Sequence, residues 1–172
     1  LNDVKKELLK KNSNTTLVEE LANSILTYSD LLPSRNQNYK FDIEKFVDVN
    51  GKTGIYLQYA QVRAGKILNQ YQTQNNKEVL DNLNEDERKL VFEITKLPYY
   101  FFKSLEKNEP HHIAEYAYSL CQIFNSFYSN NKIFSSSITE TVMNQRLFIV
   151  KSFYTTIHTV FELLGMSPVN EM

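Results

Sequence analysis

With 172 residues the chain can bury one sizeable core, and its 13% aromatic content, tyrosine and phenylalanine without tryptophan, excludes a disordered segment. Four glycines and four prolines are too few for sheets joined by tight turns, so the expected fold class is all-α. One cysteine, Cys121, excludes an internal disulfide and is expected in a cytoplasmic setting as a buried, inert thiol. The net charge of −1 says little as a total. Its distribution says more: Glu78, Asp81, Glu85, Asp86, Glu87, Glu93, Glu106 and Glu109 crowd one segment, so a surface for a polyanion should use the flanking helices. No stretch reads as a membrane span or a signal sequence, and no membrane partner is expected.

In chain order, residues 3–11 predict a short helix with Val4, Leu8 and Leu9 inward. Asn14 or Thr15 caps the next, whose buried face is Leu17, Val18, Leu21, Ala22, Ile25 and Leu26. Residues 28–40 form a break, and 41–47 a short helix started by Asp42. The run Asn50-Gly51-Lys52-Thr53-Gly54 is the clearest turn and the expected hinge, dividing the chain into 1–54 and 55–172.

Residues 56–71 wind into a helix with two unlike faces at about 100° per residue. Leu57, Ala60, Ala64, Ile67, Leu68 and Tyr71 make an apolar stripe. Opposite it, Tyr56, Tyr59, Arg63, Lys66 and Gln70 recur at spacings of 3, 4, 3 and 4, a row of aromatics and cations without an acid. Such a row suits single-stranded nucleic acid, whose bases stack on rings and whose phosphates meet cations. Periodicity alone favours the plainer alternative of packing tyrosines and solubilising cations.

After a polar link at 72–77, Asn84 caps a helix with Glu85, Asp86 and Glu87 in its first turn and Leu90, Val91 and Ile94 buried, stopping before Pro98. An aromatic run follows at 99–105, and Glu109-Pro110 opens a long helix from His111 to about Asn130. Its core stripe is Ile113, Tyr116, Ala117, Leu120, Ile123, Phe124 and Phe127, beside a polar rim row of Tyr118, Cys121, Asn125 and Tyr128. A loop at 131–137 leads to the last helix, 140–164, with Met143, Leu147, Val150, Phe153, Tyr154, Ile157, Val160, Phe161 and Leu164 inward and Gly165 as its cap. Arg146 lies within that apolar arc, so it must snorkel, meet a carboxylate or meet a phosphate.

No residue set supports a catalytic step. His111 and His112 with Cys121 or His158 lack paired-ligand spacing on a helix face, so no metal is expected. There is no Gly-rich phosphate loop.

The run Tyr56-Leu57-Gln58-Tyr59-Ala60, with Arg63 three residues on, resembles the opening of the DALR anticodon-binding domain of arginyl-tRNA synthetases. Tyr28-Ser29-Asp30-Leu31, Phe41-Asp42, Gly51-Lys52-Thr53, Phe124-Asn125-Ser126-Phe127-Tyr128, Arg146-Leu147, Leu163-Leu164-Gly165 and the final Met172 are similar to further motifs of that family. Gln61-Val62, Gly54-Ile55 and Asn170-Glu171 depart from its pattern. The resemblance implies a helical bundle preceded by two or three short helices that end a class I catalytic region. It implies a tRNA(Arg) anticodon stem-loop as partner, contacted by Tyr56, Tyr59, Arg63, Lys66, Tyr128 and Met172. The family's ATP signatures, His-x-Gly-His and Lys-Met-Ser-Lys-Ser, are not in this sequence. ATP with Mg, and the ligation of arginine, therefore belong to a catalytic domain outside it, and the chain reads as an excised, monomeric fragment. The anticodon-binding domain of another class I synthetase, or a bundle that docks a protein, are the alternatives.

Overall fold

The computed structural model describes residues 1–9, 15–38, 42–71 and 80–172. Among these, regular structure is entirely helical: α1 (Asn2–Leu9), α2 (Thr15–Leu31), α3 (Ile43–Phe46), α4 (Gly54–Gln70), α5 (Glu85–Thr95), α6 (Leu97–Lys107), α7 (His111–Asn130) and α8 (Glu140–Leu164). The expected end of the first helix at Lys10 and Lys11, the Asn14 cap, Phe41, the 72–77 link and Glu78 lie outside the described residues.

Local chemistry sets the helix ends. The side chains of Asp42, Thr53 and Thr139 accept the orphan N–H groups of Lys45, Tyr56 and Val142 at the starts of α3, α4 and α8. Asn84 and Glu87 form a reciprocal capping box on α5. Pro98 falls in the first turn of α6, where its missing N–H costs nothing. Gly165, at φ 70°, takes the left-handed conformation that ends α8.

Two apolar cores meet at α4. Leu57, Ala60, Ala64 and Ile67 face the larger one, where Phe124 of α7 and Phe153 of α8 stack 3.9 Å apart. Ile55 and Val62 face a second core with Val4, Leu8, Leu17, Val18, Leu21, Ala22, Ile25, Val47 and Val169. Helix α4 is therefore a shared wall, buried on a wider arc than one apolar stripe predicts. The row of Tyr59, Arg63, Lys66 and Gln70 is the strip between the two cores, which is why it reaches solvent.

Two details weld the N-terminal helices to this wall. A Cβ on Gly54 would stand 2.4 Å from the Ser24 carbonyl oxygen, so α2 and α4 meet backbone to backbone and the Gly51–Gly54 turn ends in a packed joint rather than a free hinge. The fully buried amide of Gln58 donates to Ser24 Oγ (2.8 Å) and to the Ser167 carbonyl (2.7 Å), and accepts from the Val169 N–H (3.1 Å). One side chain thus holds α2 and the tail that follows α8.

Several expectations are corrected. Val91 and Ile94 are only half-buried, and α5 instead buries Glu87 and Glu93 beside Leu90. Glu93 is paired with Lys96 (2.7 Å) and accepts from Ser119 Oγ (2.8 Å), so the acidic segment spends part of its charge internally. Cys121 belongs to the core rather than the rim, and burial pushes its thiol pKa up. Helix α8 is the one helix among the described residues long and apolar enough to cross a membrane by length and composition, contrary to the expectation of none. Its apolar arc, from Leu147 to Leu164, is packed into the core of this bundle. Of the three fates open to Arg146, a carboxylate wins: its Nε bonds Glu87 Oε1 at 2.7 Å and its Nη1 donates to the Lys132 carbonyl at 2.6 Å.

His158 of α8 packs 4.2 Å from the Tyr154 ring, with its Nε2 3.2 Å from the amide nitrogen of Gln61. Burial lowers its pKa, with Glu162 opposing. The folded state thus prefers the neutral ring, while the unfolded chain takes the proton first as pH falls. Its stabilising contribution is complete above about pH 6.5, the ordinary imidazole value, and is lost as pH falls through the lower folded value. Urea midpoints of the native chain should accordingly fall more between about pH 7.5 and pH 5 than those of His158→Gln.

Candidate nucleic-acid interface

The exposed strip of α4 and the end of α7 enclose an open groove of about 600 Å³. Tyr59, Arg63, Lys66 and Gln70 line one side, Tyr128 and Ser129 the other, and Lys132, Phe134 and Met172 close it. No aspartate or glutamate lines it among the described residues. Three cations and three aromatic rings therefore share a concavity without an acidic side chain among the described residues.

Arg63 is its centre. The guanidinium carbon lies 4.4 Å from the ring centroid of Tyr59 and 4.5 Å from that of Tyr128, so a ring from each helix flanks one cation. Its Nη1 donates to Asn125 Oδ1 at 2.7 Å and its Nη2 to the Tyr59 hydroxyl at 2.6 Å. A guanidinium has five N–H donors, so two bonds fix its plane and others are left for phosphate or base edges. Tyr59 and Tyr128 remain 42% and 39% exposed, enough to offer ring surface to a ligand.

Tyr56 stands apart. It sits where the strip meets the larger core, is half-buried against Tyr118 with centroids 5.3 Å apart, and does not line the groove. Burial raises its pKa, while a hydrogen bond with Asn125 opposes the rise. Asn125, which orients the guanidinium, thus neighbours Tyr56 as well. Tyr59, Arg63, Lys66, Tyr128 and Met172 are brought together as one lining.

Sequence spacing along single helices does not reveal Lys132 and Phe134, which come from the loop before α8. The available signal is an aromatic beside a cation in a polar stretch, with Phe134 42% exposed. A network sets that loop's position: Asn131 Oδ1 accepts from Asn84 Nδ2 (2.7 Å), Asn131 Nδ2 donates to the Phe127 carbonyl (3.0 Å), and Arg146 holds the Lys132 carbonyl. The capping box of α5 and the buried ion pair on α8 therefore support the far wall.

The chain that builds this helical bundle and its cationic, aromatic groove matches a described family. Residues 57–172 match the model of the DALR anticodon binding domain, and the chain belongs to that family. Among relatives, it is 31% identical to an arginine–tRNA ligase of Francisella tularensis subsp. novicida, over 97% of this chain and 30% of that protein. An arginyl-tRNA synthetase structure from Plasmodium falciparum superposes with a TM-score of 0.86 at 28% identity, covering 99% of this chain and 32% of that one. The Thermus thermophilus arginyl-tRNA synthetase has the same fold, with a TM-score of 0.89 at 22% identity over 99% of this chain and 30% of that one. The chain spans less than a third of the length of the curated relatives it matches.

Proposed function

We propose that this chain is the anticodon-binding part of an arginine–tRNA ligase, and that the groove around Arg63 takes the anticodon loop of tRNA(Arg). The observation that carries the reading is a guanidinium flanked by Tyr59 and Tyr128 in a groove whose described lining has no acidic side chain. An anticodon loop offers unstacked bases for the rings and phosphates for Arg63, Lys66 and Lys132. Met172, at the closed end, contacts the loop from the tail moored by Gln58. Catalysis, with ATP and Mg, belongs to a separate part of the parent protein, and loop binding orients the acceptor end of the tRNA toward it. The setting is cytoplasmic and the chain acts as a monomer.

Fluorescence anisotropy with a labelled tRNA(Arg) anticodon stem-loop tests this. Stacking contributes about 1–3 kcal/mol per base, so Tyr59→Ala should weaken binding about tenfold. Arg63→Ala should weaken it similarly and flatten the salt dependence by about one phosphate contact. Urea midpoints should stay close to native for both, since neither residue belongs to a core. Unchanged affinity in both variants refutes the assignment, and equal competition by tRNA(Cys) refutes the choice of arginine.

A further inference from the structure

The geometry points to a divalent-metal site at the start of α7, formed by Glu109, His111 and His112 and suited to an ion of the zinc class. Glu109 Oε2 lies 3.5 Å from His112 Nε2 and 3.7 Å from His111 Nδ1, and each residue offers one ligand atom such that all three lie within 4.8 Å of one another. Zinc binds imidazole nitrogen and carboxylate oxygen at about 2.0–2.2 Å in a tetrahedron, which sets neighbouring ligand atoms about 3.4 Å apart. Two edges of the ligand triangle are already near that length, and small side-chain rotations close the third.

His111 Nδ1 gives a second, independent reason. It is buried without a hydrogen-bond partner, and at 3.7 Å the Glu109 oxygen is too distant to be one. An imidazole nitrogen cut off from water and left unpaired carries a desolvation penalty that a bound cation removes.

The backbone beneath the cluster is fixed before any ligand arrives. The Glu109 N–H donates to the Ser104 carbonyl (3.0 Å), and its own carbonyl accepts from Ser104 Oγ (2.9 Å) and the His112 N–H (3.3 Å). Asn108, at φ 53°, makes the left-handed turn from α6, and its carbonyl accepts from Arg35 at 3.2 Å. The three side chains are 16% to 26% exposed, so solvent can fill a fourth position. Lys103 and Lys107 act electrostatically on His112, and they oppose a cation together with the positive end of α7. The expected affinity is therefore micromolar rather than tighter.

Pairing the histidines only with Cys121 or His158 misses this cluster, because Glu109 precedes the helix and spacing on a helix face cannot include it. Cys121 lies in the core and His158 faces Gln61, so neither joins it.

Isothermal titration of zinc into the untagged, chelator-stripped chain tests the site. The expected result is one ion per chain, with affinity reduced about tenfold or more by Glu109→Gln and by His112→Asn and unaltered by His158→Asn. Failure of the folded chain to take up one zinc, or uptake insensitive to both substitutions in the cluster, overturns the proposal. Should those variants not fold by circular dichroism, the visible spectrum of the unaltered chain with cobalt(II) decides. Intense four-coordinate bands support the site, and only weak octahedral bands refute it.

Discussion

Arg146→Ala should cost about 3 kcal/mol of folding stability, read as a lower urea midpoint with an unchanged slope. The reason is what remains afterwards. Glu87 has a side chain only 3% exposed, and Arg146, itself 13% exposed, is its cation at 2.7 Å. Without that cation the carboxylate keeps bonds from the Asn84 N–H (2.9 Å) and Gln145 Nε2 (3.2 Å), which moderate the loss but do not neutralise the charge. A companion E87Q/R146A chain, with neither charge, should recover about half of the loss, because a buried pair costs most when only one partner is removed. Full additivity of the two single effects would contradict the account. The same substitution frees the Lys132 carbonyl, so the loop bearing Phe134 should loosen and stem-loop binding should weaken even in the folded fraction.

Gly54→Ala is expected to destabilise the chain by about 2 kcal/mol or more, despite the helix-favouring change. The new methyl would stand 2.4 Å from the Ser24 carbonyl oxygen and 2.9 Å from the Ile25 nitrogen. Both are backbone atoms, so relief requires α2 to move away from α4 and open the smaller core. Gly51→Ala, three positions earlier, meets nothing nearer than the Thr53 methyl at 3.4 Å and should stay within about 1 kcal/mol of native. Equal effects in thermal unfolding would refute the close-packed joint.

Much of this architecture is legible in the chain. Four α4 side chains at helical spacing, Leu57, Ala60, Ala64 and Ile67, lie in the larger core as their period predicts, and Asn84, Asp42 and Gly165 bound helices for the capping reasons that flag them. Period alone misses features that arise between elements. A helix wheel gives α4 one dry face, because nothing local announces that α2 will cover Ile55 and Val62 as well. Gly54 reads as turn material, since close backbone approach is a property of two segments. Arg146 has three open fates until α5 brings Glu87 to it. At the groove, Tyr59, Arg63 and Lys66 follow from spacing on one helix, whereas the placement of Tyr56 depends on Tyr118 of α7 and the wall residues Lys132 and Phe134 on a loop with no period.

The amide of Gln58 sets where this polypeptide can be shortened. A version trimmed to begin at α4 would lose the Ser24 hydroxyl and leave only Ile55 and Val62 of the aliphatic core that Val169 joins. The strand of chain leading to Met172 would then be free to drift from the cleft it closes. Residues remote from the groove thereby help decide whether its last lining residue is in position.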